Sequence, residues 1–446
     1  MHSAPASSAR CDRERRHGRA VTHASDPQDL RIPRDSLLLA ASMIMFVAAT
    51  NILTPLIPVV RDDLGVSITT AGLVVGSYGF ARLAIDLPAG FLVEVFGARR
   101  LAAVGVILLA SSSMFGFVAA TVGELIAARV GSGVAIGILG TIVLSALGAT
   151  ASTGNRGKVM SLFHVANNIG IAVYPILGGF IGVWFNWRVT FLVTAVLAVV
   201  AGAVLLPVLL RVDVSRSRAR GAGADESRVL HGRQRIVAFG ATNLGVIANM
   251  IHRHGFRNTV LPLYAAMSLG LGGVSIATAI ALMSIAGLVV ATPGGMLGDR
   301  IGRRRLITAG LSALAVGDLA FLLTHDLVTF LLFAGLIGFG DFFASSQTAL
   351  LSEIVPTGYR TRALSAYRFS SDLGSLLGPV LLAAVMDAAG ARAAILVAVA
   401  VLAVGAIAAW LGVPRTVERE PFRTQVAPSA MAAVAGADPN EEVTAP

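Results

Sequence analysis

The chain has 446 residues, of which 55% are hydrophobic and only 13% charged, against about 25% charged in ordinary soluble domains. A single soluble core cannot absorb so much apolar side chain, so lipid must solvate much of the surface, and the 48 glycines suit closely packed membrane helices. The lone cysteine, Cys11, excludes an intramolecular disulfide, and the net charge of +10 sits in short gaps between apolar runs rather than in a groove with interleaved aromatics, which sets nucleic acid aside as a partner.

Residues 1–34 are polar and arginine-rich from Arg10 to Arg34 and carry no small-residue cleavage pattern, so they read as a disordered cytoplasmic tail rather than a signal peptide. A start codon within the chain is the alternative explanation of this tail. Six apolar segments follow at about 36–61, 71–93, 100–119, 123–149, 157–182 and 187–210. A polar linker, 211–235, separates them from six more at about 236–264, 272–297, 303–324, 327–353, 363–387 and 391–412. The last stretch, 414–446, reads as a second disordered cytoplasmic tail. Positive charge concentrates in alternate gaps, at Arg99 and Arg100, at Arg156 and Lys158, from Arg300 to Arg305, and at Arg360 and Arg362. The opposite gaps hold little beyond Arg61, Arg188 and Arg392. The positive-inside rule then puts both termini in the cytoplasm, which requires an even number of spans. The expected architecture is an all-alpha polytopic membrane protein, with six-helix bundles at 35–210 and 236–413, in a bacterial inner membrane.

Charge inside a span is costly and points to function. Arg82 and Asp86 in the second span are four apart and share a helical face, as do Arg368 and Asp372 in the eleventh. Each pair is either structural glue or a coupling element that breaks and reforms. Asp318 lies in the ninth span. Asp341 lies in the tenth with no sequence-local partner, which makes it a further candidate to carry a proton. The seventh span carries His252, Arg253, His254 and Arg257 before Pro262. This cluster reads either as a contact for an anionic or zwitterionic substrate or as an interface segment with snorkelling arginines. In the fifth span His164 and Asn168 are candidate substrate contacts. The histidines of the seventh span have no neighbouring carboxylate or cysteine, so no metal is expected.

The chain repeats itself at an offset of about 205 residues. The run Gly90 to Arg100, with Glu94, Gly97 and Arg99, matches Gly295 to Arg305, with Asp299, Arg300, Gly302, Arg303 and Arg304. In a second match, Arg156, Ser161, Asn168, Gly170 and Pro175 align with Arg360, Ser365, Asp372, Gly374 and Pro379. Duplication follows, and with it parallel halves related by an axis along the membrane normal. The duplicated loop lets helices approach closely through its glycines, and its acid can pair with arginine or face a helix N-terminus. A gating role is the functional reading, and a solvated positive loop is the plain one.

At these residues the chain resembles the major facilitator superfamily, whose loop signature is Gly-x-Leu-x-Asp-x-x-Gly-Arg-Arg/Lys. The copy from Gly295 to Arg304 follows it closely. In the copy from Gly90, Glu94 replaces the aspartate and Val95 the usual arginine. The fifth span is similar to the drug/proton antiporter group through Gly170, Pro175, Gly178 and Gly179, with Tyr174 standing where a glycine is usual. The eleventh span carries the tighter Gly374, Gly378 and Pro379. These residues serve either as hinges or seals, or as packing alone. Arg129, Gly133 and Ala135 resemble the group's fourth span, and Pro55-Leu56-Ile57-Pro58 its first. The resemblance implies a pseudo-twofold fold and alternating access. It further implies a monomer in lipid that exports drug-like or amphiphilic small molecules against protons, without a cofactor. The first span lacks the acid that some drug exporters place there. Uptake or exchange of a small metabolite, such as an organic anion, is the alternative in the same fold, and the clustered arginines favour it. No phosphate-binding Gly-rich loop with Lys-Ser/Thr is present, so neither ATP-driven transport nor an enzyme is expected.

Overall fold

A computed structural model describes residues 32–152, 155–212, 232–344, 347–355 and 360–414. Residues 1–31, most of the expected linker and residues 415–446 lie outside that set. Among the described residues there is no strand. Lipid offers no hydrogen bonds, so each span closes its own backbone as a helix.

The first span is a helix over Arg34–Asn51, a 3-10 turn over Thr54–Leu56 and a second helix over Ile57–Leu64. Pro55 and Pro58 remove two backbone donors, and each sits in the first turn of the short element that follows the break. Spans 2 to 6 are Ile68–Phe96, Ala98–Val118, Val122–Thr150, Arg156–Trp184 and Val189–Arg211. Local chemistry starts them. Ser67 Oγ accepts from the Thr70 N–H, and Thr121 and Glu124 form a reciprocal capping box.

Span 7 is made of three pieces, Gly232–Met250, a π-helix over Ile251–Val260, and Leu261–Leu269. Spans 8 and 9 are Gly273–Ile301 and Arg303–Ala320, the latter finishing in a 3-10 turn over Phe321–Leu323. Span 10 comprises Leu327–Ala344 and Gln347–Ile354. The run Arg360–Gly412 holds spans 11 and 12, parted at Gly390, whose φ of 83° only glycine adopts readily.

Nine helices among the described residues are long and apolar enough to cross a membrane. Adding the two interrupted spans, 7 and 10, and counting the run parted at Gly390 as two gives twelve. The expected spans therefore correspond to observed ones. The helices generally overrun the apolar windows, because polar first and last turns belong to the helix but not to the hydrocarbon.

Twelve crossings bring the chain back to the side on which it begins, here termed the terminal side. The opposite face is the far side. One apolar core lies wholly within the first six spans, from Leu39 to Leu209. The other runs through the last six and continues into Leu53, Leu56, Val60, Ile68 and Phe191 at the far ends of the first six. The halves are thus fused on the far side.

That fusion is a seam of backbone against backbone. A Cβ on Gly72 would lie 2.6 Å from Pro379 O and against Ala383, and one on Gly79 2.9 Å from the Leu376 nitrogen. Across the second seam a Cβ on Gly179 would lie 2.8 Å from Gly273 O. At the outer end of the seam between spans 2 and 11, Thr69 Oγ1 donates to Asp387 Oδ2 at 2.8 Å.

Candidate functional site

The seam between spans 2 and 11 leads from Gly72, Gly76 and Gly79 down to Arg82. The Arg82 Nη2 donates to Asp86 Oδ2 at 3.3 Å and lies 3.6 Å from Asp372 Oδ1. The Asp86 and Asp372 side chains are only 9% and 4% exposed, whereas that of Arg82 is 36% exposed. One guanidinium therefore faces two enclosed carboxylates, one from each half. With both ionised, the trio carries a net charge of −1 in a place where charge is costly. Asp372 Oδ2 and Arg82 Nε are buried without a hydrogen-bond partner.

This arrangement departs from the sequence expectation in one respect. The pair Arg82–Asp86 forms, but Asp372 pairs with Arg82 across the seam rather than with Arg368 on its own helix. A helical spacing of four permits contact without requiring it, and Arg82 comes within bonding range from the opposite half.

One turn before Arg82, the buried Tyr78 extends the cluster. Its hydroxyl accepts from Thr50 Oγ1 at 2.7 Å, and the Arg129 guanidinium lies 5.5 Å from its ring centre. Arg129 is 4% exposed and donates to Ala49 O at 2.7 Å. Among the described residues it meets no carboxylate. Its charge is spread over a carbonyl and an aromatic face, tying spans 1, 2 and 4 around the site. Tyr78 and Thr50 escaped the sequence reading, and a tyrosine one turn from an intramembrane arginine was the available signal.

The basic cluster of span 7 falls on the π-helix. Its wider winding shows in the N–H of Leu261 bonding to Phe256 O, and in Thr259 Oγ1 donating to His254 O at 2.9 Å, each five residues back. The winding fans the side chains toward three neighbours. His252 faces span 9, where its Nδ1 lies 2.9 Å from Asp318 Oδ2 and both side chains are fully enclosed. Arg257 faces span 8 and donates to Ile280 O and Ser284 Oγ. His254 faces span 11, with its Nδ1 3.1 Å from Ser375 Oγ.

His252 and Arg257 were expected as substrate contacts. Full enclosure of the first and 3% exposure of the second put both inside the bundle packing, not on an open surface. The carboxylate missing from the sequence neighbourhood of His252 is supplied by Asp318, 66 residues on. No group of three or more His, Cys, Asp or Glu able to hold a metal occurs among the described residues. Arg253 is half-buried. His164 is exposed with its ring edge-on to Phe163, and Asn168 is half-buried; neither hydrogen-bonds to the Arg82 cluster. The side chain of Asp341 lies outside the described residues.

The duplicated loop shows one common device. Gly97 and Gly302 have φ of 80° and 92°, and each is the N-cap residue of the next helix. The second glycine of each copy is therefore required by backbone geometry. Gly90 and Gly295 lie on the preceding helices, and Glu94, Arg99 and Arg100 are exposed. Arg303 is half-buried, and Arg304 is 8% exposed with its guanidinium 4.2 Å from the Trp410 ring centre, so not every arginine of the loops stays in water. The side chains of Asp299 and Arg300 lie outside the described residues.

The glycine–proline pattern of spans 5 and 11 packs against spans 1 and 7. A Cβ on Gly170 would meet Val47, and one on Gly178 would collide with Ile52 O. Gly374 packs on Met250 and Ile247, and Gly378 on Ile251 and Gly255 of the π-helix. Pro175 and Pro379 sit buried within their helices, and Tyr174 is buried as well.

Comparison with known proteins agrees with this architecture. Residues 39–292 and 255–436 match the sequence profile of the Major Facilitator Superfamily. A puromycin resistance protein of Streptomyces alboniger is 30% identical over 174 residues, which are 38% of this chain and 34% of that relative. The match thus spans about a third of its length. An uncharacterised transporter of the superfamily from Methanocaldococcus jannaschii is 22% identical over 338 residues, 74% of this chain and 85% of the relative. The crystal structure of a peptide transporter bound to sulfate superposes with a TM-score of 0.72 over 86% of this chain and 95% of that one, at 15% identity. Twelve spans in two fused halves, duplicated loop glycines and a profile match over most of its length make this chain a member of the Major Facilitator Superfamily, a transporter and not an enzyme.

Proposed function

We propose that the protein is a proton-coupled exporter of drug-like or amphiphilic small molecules, in a bacterial inner membrane with both termini in the cytoplasm. The observation that carries this reading is the sharing of Arg82 by Asp86 and Asp372 across the seam. A proton on either carboxylate neutralises the excess charge of the trio and loosens its hold on the guanidinium. Separation of the halves on the far side must part Arg82 from Asp372. Proton uptake and opening are then two sides of one equilibrium, as coupling requires. The sealed far side corresponds to a conformation that takes cargo from the cytoplasm, with 35–210 and 236–413 acting as the two rocking bodies. The likeness to a puromycin resistance protein supports export, over the part of the chain it covers. Arg253 and His254, on the segment that faces the seam, favour uptake or exchange of an organic anion as the second reading.

Purified protein in vesicles loaded with a pH reporter tests this. A panel that includes puromycin is expected to drive proton movement, and Asp372→Asn to abolish it while substrate exchange without net proton flux persists. Transport of any panel compound with no proton movement would overturn the coupling.

A further inference from the structure

A cavity of about 1060 Å³ opens on the terminal side of the first half, away from the seam. Its walls come from the ends of spans 2, 3, 4 and 6. Val93, Phe96, Leu206, Leu209 and Leu210 make it apolar on the membrane side, and Thr141 and Ser145 offer hydroxyls from span 4. Arg99, Arg100 and Arg211 stand at its rim against one acid among the described residues, Glu94. The rim also contains the start of span 3, whose N-cap residue Gly97 supplies no capping side chain, so the first-turn N–H groups add positive potential. The depth is that of lipid headgroups, because span 3 begins and span 6 ends here.

We propose that this cavity binds one anionic phospholipid, with its phosphate at Arg99, Arg100 and Arg211 and an acyl chain along Val93, Leu206 and Leu210. Charge complementarity selects the occupant. Three arginines against one glutamate suit a headgroup with net negative charge, and the apolar wall below them suits a chain that a soluble anion lacks. Basic pockets between helices at the cytoplasmic interface bind such headgroups, each arginine contributing about fivefold in affinity. The bound lipid would bridge the duplicated loop after span 2 to the end of span 6, immediately before the linker between halves. Lipid composition would thereby reach the loop without any change at the Arg82 site.

The test is native mass spectrometry of the full chain, stripped of lipid in neutral detergent and titrated with phosphatidylglycerol or phosphatidylcholine. One phosphatidylglycerol is expected to bind selectively. Arg211→Gln should weaken it about fivefold, and the triple change Arg99→Gln, Arg100→Gln and Arg211→Gln should remove the selectivity. Ser145→Trp, which sets an indole ring in the cavity and leaves its charge intact, should weaken the bound species. Selectivity that survives the triple change, or binding undiminished by Ser145→Trp, would overturn the proposal. Equal binding of glycerol phosphate, which has no acyl chain, would mark a soluble-anion site and also overturn it. So would lipid that enters only after residues 213–231 are replaced by a Gly/Ser spacer, since the chain itself would then be the occupant.

Discussion

Gly72 in span 2 lies where the halves touch through backbone, and alanine there should open the far side. The added Cβ would sit 2.6 Å from Pro379 O and against the Ala383 methyl. Neither obstacle is the end of a flexible side chain, so spans 2 and 11 must move apart. Overpacking of this kind costs about 1–3 kcal/mol. Because the contact exists only when the far side is sealed, the whole cost falls on that conformation and shifts its equilibrium by about 5- to 150-fold. Gly79→Ala, with its nearest atom at 2.9 Å and belonging to backbone, should act in the same direction. Gly76→Ala should act less, since the Val380 methyl at 3.0 Å can turn aside and the nearest backbone atom, Leu376 O, lies farther off at 3.1 Å. Gly140→Ala meets nothing within 4 Å and isolates the helix-propensity gain of alanine, about 1 kcal/mol, which is common to all four. Spin labels on Val66→Cys and Arg392→Cys, in a Cys11→Ser background, report far-side separation by pulsed resonance spectroscopy. The long-distance fraction should rise in the order Gly140, Gly76, Gly79, Gly72. An unchanged distribution for Gly72→Ala, or a rise for Gly140→Ala equal to it, would refute the reasoning.

Two further outcomes follow from single contacts. Asp318→Ala should lower thermal stability by about 1–3 kcal/mol, because it strips the Nδ1 of the fully enclosed His252 of its carboxylate, while Nε2 has no partner among the described residues. The double change His252→Phe with Asp318→Leu should recover most of that loss, and equal melting temperatures for the single and double variants would contradict it. On the far-side loop, hydrogen bonds from the Thr329 hydroxyl and N–H hold the Asp326 carboxyl below its ordinary value of 3.8. A lowered folded-state value means that the cap stabilises above about pH 3.8 and is lost as pH falls through the folded value. Asp326→Ala should therefore melt earlier than the parent at pH 7, with the gap closing in acid; a gap independent of pH would show that the carboxylate is not the cause.

Much of the architecture was legible because it is written locally. Apolar runs, arginine alternation and the offset near 205 are properties of neighbouring residues. The glycines of the duplicated loop, Gly97 and Gly302, could be singled out by position, and the structure supplies the reason in their positive φ. The site was legible by residue but not by partner. Arg82 and Asp372 stood out as intramembrane charges, yet their pairing joins positions 290 residues apart, and the i,i+4 spacing pointed to Arg368 instead. His252 and Asp318 were hidden from each other in the same way, and the π-helix that aims His252 has no period a sequence scan detects. Asn249, 1% exposed and with neither amide atom hydrogen-bonded, gave no signal at all.

The glycine seam has a mechanical consequence. Dispersion contacts between atoms already touching lose a quarter to a half of their energy over a gap of about 0.5–1 Å. Between Gly72 and Gly79, spans 2 and 11 meet largely through backbone and short side chains, which cannot stretch across such a gap. Their adhesion is therefore short-ranged and stiff, like two ground-glass faces rather than two interlaced brushes. A surface of that kind favours no half-open position: in the proposed cycle the faces hold until the Arg82 charges release them, and then part along their whole length.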